Sequence, residues 1–216
     1  MTIVFLAVIA ILLLKLNSRV YNTNHFLARL VVDQNKISPS EISYGPNDII
    51  IGQQEAPVNI FVFTSYRCQY CADFFRKTFP ILKKEYADKG IIKFIIKNIA
   101  YSNDSVSLLA AKAAYCAYAE GDFLNMNMKL LDQYDVLDET MILDWVSASD
   151  ADTVKFRTCL NNKSLDELIF ENRKTARLAG TKGTPAFIIG NSVLNGNRPV
   201  SKFRDLIELE IESCCE

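Results

Sequence analysis

FVFTSYRCQYCADFF, residues 61 to 75, joins an apolar run to a helical pattern through a short polar turn, and the joint carries Cys68 and Cys71. Val58 to Phe63 are β-branched or aromatic at five of six positions, as in a strand. Beyond Cys71, the residues Ala72, Phe75, Phe79 and Leu82 recur at three- and four-residue intervals, as on a helix buried along one face. The cysteine pair therefore stands where a strand gives way to a helix. The first N–H groups of a helix have no intrahelical partner and carry partial positive charge, so a thiolate placed there is stabilised and its pKa falls. The spacing puts both sulfurs on one face, Cys68 at the exposed end and Cys71 about one turn inside. This predicts that Cys68 attacks a disulfide and that Cys71 resolves the mixed disulfide. Half of a zinc site is the competing use of such a pair. A structural zinc needs three or four ligands at matching spacing. The chain has no second C-x-x-C, and its single histidine, His25, lies in a different composition zone.

The remaining composition narrows the class. The 216 residues, half of them hydrophobic, suffice for one domain with a sizeable core plus an appendage. The 24 basic and 25 acidic residues form no basic block, so the concentrated positive face of a nucleic-acid binder is missing. Residues 3 to 14 are an unbroken apolar run. Twelve helical residues reach about 18 Å against about 30 Å of bilayer hydrocarbon, so residues 1 to 17 read as a signal peptide or a membrane anchor. Val20, Leu27, Leu30, Val31 and Ile37 follow at heptad-like spacing. Residues 18 to 46 are thus either a helical linker or a stalk joining protomers into a dimer or trimer. The turn Tyr44-Gly45-Pro46-Asn47 ends that segment and opens a domain over 47 to 216.

Within the domain, strands are predicted over 48–51, 58–63 and 91–96, with a helix over 67–87 kinked or broken at Pro80, where a backbone hydrogen bond is lost. Strand, helix and strand make a right-handed crossover with parallel strands. Residues 104 to 180 read as a helical insertion whose segments each open on Asp or Ser. Gly183-Thr184-Pro185 then precedes two apolar runs around Gly190-Asn191, a hairpin, and a closing helix spans 202–211. Trp145, Met126, Met128 and Met141 read as packing residues of the insertion. Phe74 and Phe75 read as core, whereas Tyr66 and Tyr70 flank the cysteines as a surface for substrate.

C-x-x-C at the first helix, a helical insertion, then Gly-Thr-Pro before a strand: over about residues 48 to 212 this order resembles thioredoxin-fold proteins of the DsbA type. The resemblance implies an α/β thioredoxin fold with a helical insertion between a central βαβ unit and a carboxy-terminal ββα unit. It implies thiol–disulfide exchange on extracytoplasmic proteins, as isomerase or oxidase, through Cys68 and Cys71 with Gln69-Tyr70 as the active-site dipeptide. The Thr184-Pro185 bond would be cis and would receive the substrate chain as an added strand. Partners would be unfolded or misoxidised proteins and a redox protein, with no bound cofactor and no nucleic acid, in an extracytoplasmic compartment such as the bacterial periplasm. The alternative is a protein that handles copper or zinc with the same pair. Gln69-Tyr70 replaces the Pro-His of many such oxidases, so the imidazole that would support the thiolate is missing. Val62 stands where the family commonly has a buried glutamate, which leaves another group or water, with Lys93 or Lys97 as contributors, for proton transfer to the resolving thiol. The stalk over 18–46 is similar to those of DsbA-like isomerases and copper-sensitivity suppressor proteins. Cys116 and Cys159 are either a structural disulfide, as in some DsbA-like proteins, or two buried thiols. Cys214-Cys215 lies outside the family pattern and is a metal pair, an intermolecular crosslink or neither.

Overall fold

The computed structural model describes residues 15–20, 23, 36–101, 103–148 and 152–214. The apolar run over 3–14, His25, the heptad positions Leu27, Leu30 and Val31, and Cys215 lie outside the described residues. The chain divides into two compact units, 1–36 and 37–216. Among the described residues no helix is long and apolar enough to cross a membrane.

The second unit is built on five strands, β1 (Ile49–Gly52), β2 (Val58–Thr64), β3 (Ile92–Asn98), β4 (Ala186–Ile189) and β5 (Ser192–Asn195), in the spatial order β1-β3-β2-β4-β5. The β2 and β3 strands are parallel, with Val62 opposite Ile96 and Thr64 opposite Asn98, while every other pairing is antiparallel. The two parallel strands are central and covered on both faces, which is why their sequences run nearly unbroken in apolar residues. The β4–β5 loop is Gly190-Asn191, with Gly190 at φ +54°, the conformation a two-residue hairpin turn asks of its first residue.

A helical run over 69–87, α1, returns the chain from β2 to β3. It is not broken at Pro80. Two wide π-type segments, Phe74–Thr78 and Lys83–Ala87, flank the short α-helical piece Phe79–Leu82 that contains the proline. The Phe79 N–H reaches back five residues to the Phe74 carbonyl, and the Asp88 N–H does the same to Lys83, so the run absorbs the missing proline donor by widening. Phe74 is fully buried among Phe75, Phe79, Phe187 and Phe203, with ring centroids 4.6 to 6.2 Å away. This cluster fixes α1 and the last helix, α7 (Val200–Cys214), on one face of the sheet.

Between β3 and β4 the insertion contains α2 (Ser105–Ala119), α3 (Phe123–Asp132), α4 (Glu139–Ser147), α5 (Thr153–Leu160) and α6 (Lys163–Leu178). Asp104, Asp138 and Asp152 cap their helices by accepting from backbone N–H groups of the first turn, as expected from sequence, whereas Asp122 makes no such bond and α6 is capped by Asn162, which accepts from the Ser164 N–H, rather than by Ser164. Met126 is buried, and Met128 and Trp145 pack against the core. A disulfide joins Cys116 on α2 to Cys159 on α5 across 43 residues. On the second face of the sheet, Ala176 of α6 packs with Phe61, Phe63 and Ile95, and Ile42 with Tyr44 completes that cluster.

Candidate active site

The α1 run begins at the carboxy-terminal end of β2, and its N-cap is Cys68, whose backbone is extended (φ −135°, ψ 109°). The Cys68 sulfur accepts a hydrogen bond from the Cys71 N–H at 3.3 Å, so the thiol occupies the place that serine or aspartate takes in an ordinary cap. As a thiol it donates to the Thr184 carbonyl at 3.3 Å. Cys68 is half-buried and Cys71 fully buried, the order expected from spacing on one helical face.

The two thiols are driven apart in acidity. Hydrogen bonding from the Cys71 thiol is the main cause that brings Cys68 down to about 6; partial burial opposes it, and Thr184 and the N–H groups of Cys71 and Tyr70 add to the lowering. For Cys71, burial dominates and pushes its thiol well up, reinforced by Cys68, while Thr64 and the Ser65 backbone work in the opposite direction. One sulfur is thus an anion at neutral pH and the other a protonated reserve.

The Thr184-Pro185 peptide bond is cis, and the Thr184 carbonyl faces the Cys68 sulfur. Tyr70 is 65% exposed, next to Gln69 on the first turn of α1. Tyr66 is not a surface residue as expected. It is fully buried, its hydroxyl donating to Asn127 Oδ1 at 2.9 Å, because α3 of the insertion lies over the turn that precedes the cysteines. Lys93 and Lys97 also differ from expectation. Lys97 donates to Asp48 Oδ2 at 2.6 Å, and Lys93 donates to the carbonyls of Gln54 and Ala56 at 2.6 and 3.1 Å. Both side chains leave the sheet on the face opposite Cys71, since strand neighbours alternate and it is Phe94 and Ile96 that share the core with Cys71. Val62 is fully buried in that same core. Cys214 is exposed at the end of α7. Among the described residues no group of three metal-ligating side chains occurs, so the metal-handling alternative lacks the further ligand a closed site requires.

A family profile described as thioredoxin matches residues 45–209. The chain belongs to the thioredoxin family. A protein from Rickettsia felis named as a putative protein-disulfide oxidoreductase is 23% identical to this thioredoxin-family chain over 185 residues, 82% of this chain and 66% of its own length. Disulfide bond formation protein D of Bacillus subtilis is 24% identical over 76% of this chain and 77% of its own. The chain spans 61 to 66% of the length of the Rickettsia felis, conorii and typhi relatives it matches. In structure it is similar to alpha-DsbA1 of Wolbachia pipientis (TM-score 0.69, 23% identity, 83% of this chain and 98% of that one). The catalytic domain of Proteus mirabilis ScsC gives a TM-score of 0.65 at 23% identity, covering 78% of this chain and 91% of that domain. The thioredoxin fold of the DsbA-like type, with its helical insertion, is thereby shown.

Proposed function

We propose that this chain is a thiol–disulfide oxidoreductase acting on proteins outside the cytoplasm. The observation that carries the proposal is the split between the two thiols, with Cys68 ionised at a helix N-cap and Cys71 buried and protonated one turn away. In this reading the Cys68 thiolate attacks a substrate disulfide, forms a mixed disulfide and expels one substrate thiolate. Cys71 then loses its proton and attacks Cys68, forming the Cys68–Cys71 bond and releasing the second substrate sulfur reduced. Run backwards, the same steps place a disulfide in the substrate. Tyr70 offers an aromatic surface beside the reacting sulfur, and the edge at Thr184 and Pro185 takes the substrate chain as an added strand. Electrons pass to a partner redox protein, with no bound cofactor.

The Cys116–Cys159 bond supports an extracytoplasmic setting, because disulfides persist in oxidising compartments and are reduced in the cytosol. In this layout residues 1–17 export or anchor the chain, residues 18–46 link or oligomerise it, and residues 47–216 are the redox domain. The test is the reduction potential of the Cys68/Cys71 couple in a glutathione series, beside mass measurement with and without residues 18–46 and assays of insulin reduction and scrambled-ribonuclease refolding. A strongly oxidising monomer identifies an oxidase, and an oligomer that rescues scrambled substrate identifies an isomerase. A couple that exchanges with neither glutathione nor protein overturns the proposal.

A further inference from the structure

Resolution of the mixed disulfide requires Cys71 to become a thiolate in a place where charge is costly, since its sulfur is out of contact with water and burial raises its pKa. Val62, buried on the same face as Cys71, brings no carboxylate to this step, and Lys93 and Lys97 belong to the opposite face of the sheet. What surrounds Cys71 on its own face is a set of neutral polar groups. Thr64 ends β2 and Asn98 ends β3, opposite one another in the parallel register. Both are fully buried. The Thr64 hydroxyl, and both the nitrogen and the oxygen of the Asn98 side-chain amide, have no hydrogen-bond partner within contact distance. Leaving such groups unpaired in a core costs about 1 to 3 kcal/mol each, and native interiors retain few of them without a use. Thr64 acts on the Cys71 sulfur in the direction that favours its ionised form, yet its hydroxyl makes no formed hydrogen bond. A donor that is slack toward a thiol and tightens on a thiolate has the geometry of a group held for the charged state.

The titratable groups that act on this position are Cys68 from the same helix and Tyr66 from the preceding turn, and Tyr66 itself interacts with Asn98 and with Tyr115 of α2. Tyr115 feels Asp48, which is paired to Lys97. At the outer rim Arg67 and Asp104 face one another at 3.5 Å. None of these is a carboxylate aimed at Cys71.

We propose that Thr64 is a catalytic residue of the resolving step, its hydroxyl donating to the Cys71 sulfur as that sulfur loses its proton, with Asn98 as the positioning residue behind it. Neutral donors thus take over the part of a buried acid. The Cys71 sulfur gives up its proton toward the sulfur being released, attacks Cys68 as a thiolate, the Cys68–substrate bond breaks, and the substrate leaves as a free thiol that keeps the electron pair and takes the proton. The inference rests on the exchange activity proposed above.

The two are separated by a stopped-flow experiment on the full chain carrying Cys214→Ser and Cys215→Ser, reduced at Cys68 and Cys71 and mixed with the aromatic disulfide 5,5′-dithiobis(2-nitrobenzoate). Capture by Cys68 releases one thionitrobenzoate at a rate that depends on reagent concentration. Resolution by Cys71 releases the second at a rate that does not. Thr64→Val is expected to leave capture within about twofold and to slow resolution at neutral pH by about tenfold, the effect of losing one hydrogen bond to a charged group. The midpoint of the resolution rate against pH moves upward, Thr64→Ser restores it, and Asn98→Leu lies between. A Thr64→Val protein that resolves at the native rate and midpoint, or a Thr64→Ser protein as slow as Thr64→Val, overturns the inference alone. Failure of the unsubstituted protein to capture the reagent overturns the exchange activity and this inference with it. Should Thr64→Val not fold, Thr64→Ala beside Thr64→Ser makes the same comparison.

Discussion

Two cysteine pairs in this chain have opposite surroundings. Cys116 and Cys159 link two helices of the insertion, each sulfur set among apolar neighbours, and are bonded. Cys68 and Cys71 share one helix start, where the first sulfur receives an N–H and faces the cis-proline loop while the second is sunk beneath it. The difference shows that the backbone donors and the burial around a sulfur, more than the residue type, decide whether a pair holds the fold together or exchanges.

Removing each pair breaks that comparison most sharply. Cys68→Ser is expected to reduce insulin-reduction activity to the uncatalysed background, whereas Cys116→Ala with Cys159→Ala leaves it within about threefold because neither sulfur touches the site. The same double substitution is expected to cost about 4 kcal/mol of stability in urea unfolding, as a bond closing a 43-residue separation implies. Cys68→Ser, at a half-exposed cap, shifts the unfolding midpoint far less. The buried Lys97 side chain, paired to Asp48, leaves the sheet on the face away from Cys71, and Lys97→Ala is expected to lose about 3 kcal/mol by stranding a buried carboxylate while leaving the Cys68 alkylation rate unchanged. A parallel change in that rate would return Lys97 to the proton path. The smallest effect belongs to Tyr70→Ala. It is expected to weaken exchange with a protein substrate by about fivefold and to leave exchange with a small disulfide untouched, read from kcat/KM on each.

Much of the site was legible in the sequence because its determinants are local. A strand expected to end at Phe63 and a C-x-x-C at the next turn placed Cys68 and Cys71 from nearest neighbours, while the position of Pro185 facing them followed from the family resemblance. The reading failed where distant chain segments decide. Tyr66 looks like a turn residue until Asn127, 61 positions on, covers it. Lys93 and Lys97 sit in a strand so uniformly apolar that its two faces cannot be told apart by pattern, and only the register with β1 and β2 assigns them to the side away from Cys71. Pro80 marked a kink or a break, yet the aromatic cluster around Phe74 and Phe79 holds the helical run together, and widened turns accommodate the ring. Thr64 and Asn98, the last residues of β2 and β3, are set opposite each other only by the parallel pairing of those strands.

The central claim is that the amino end of α1 and the neighbouring thiol hold Cys68 as an anion. Its most direct test is the rate of iodoacetamide alkylation at Cys68 in the reduced protein as a function of pH. Because the folded-state pKa is depressed, the thiolate is present above it and lost as pH falls through it, so the account predicts a half-maximal rate at about pH 6. A half-maximal rate near pH 8.5, the behaviour of a cysteine in an unstructured peptide, would contradict it.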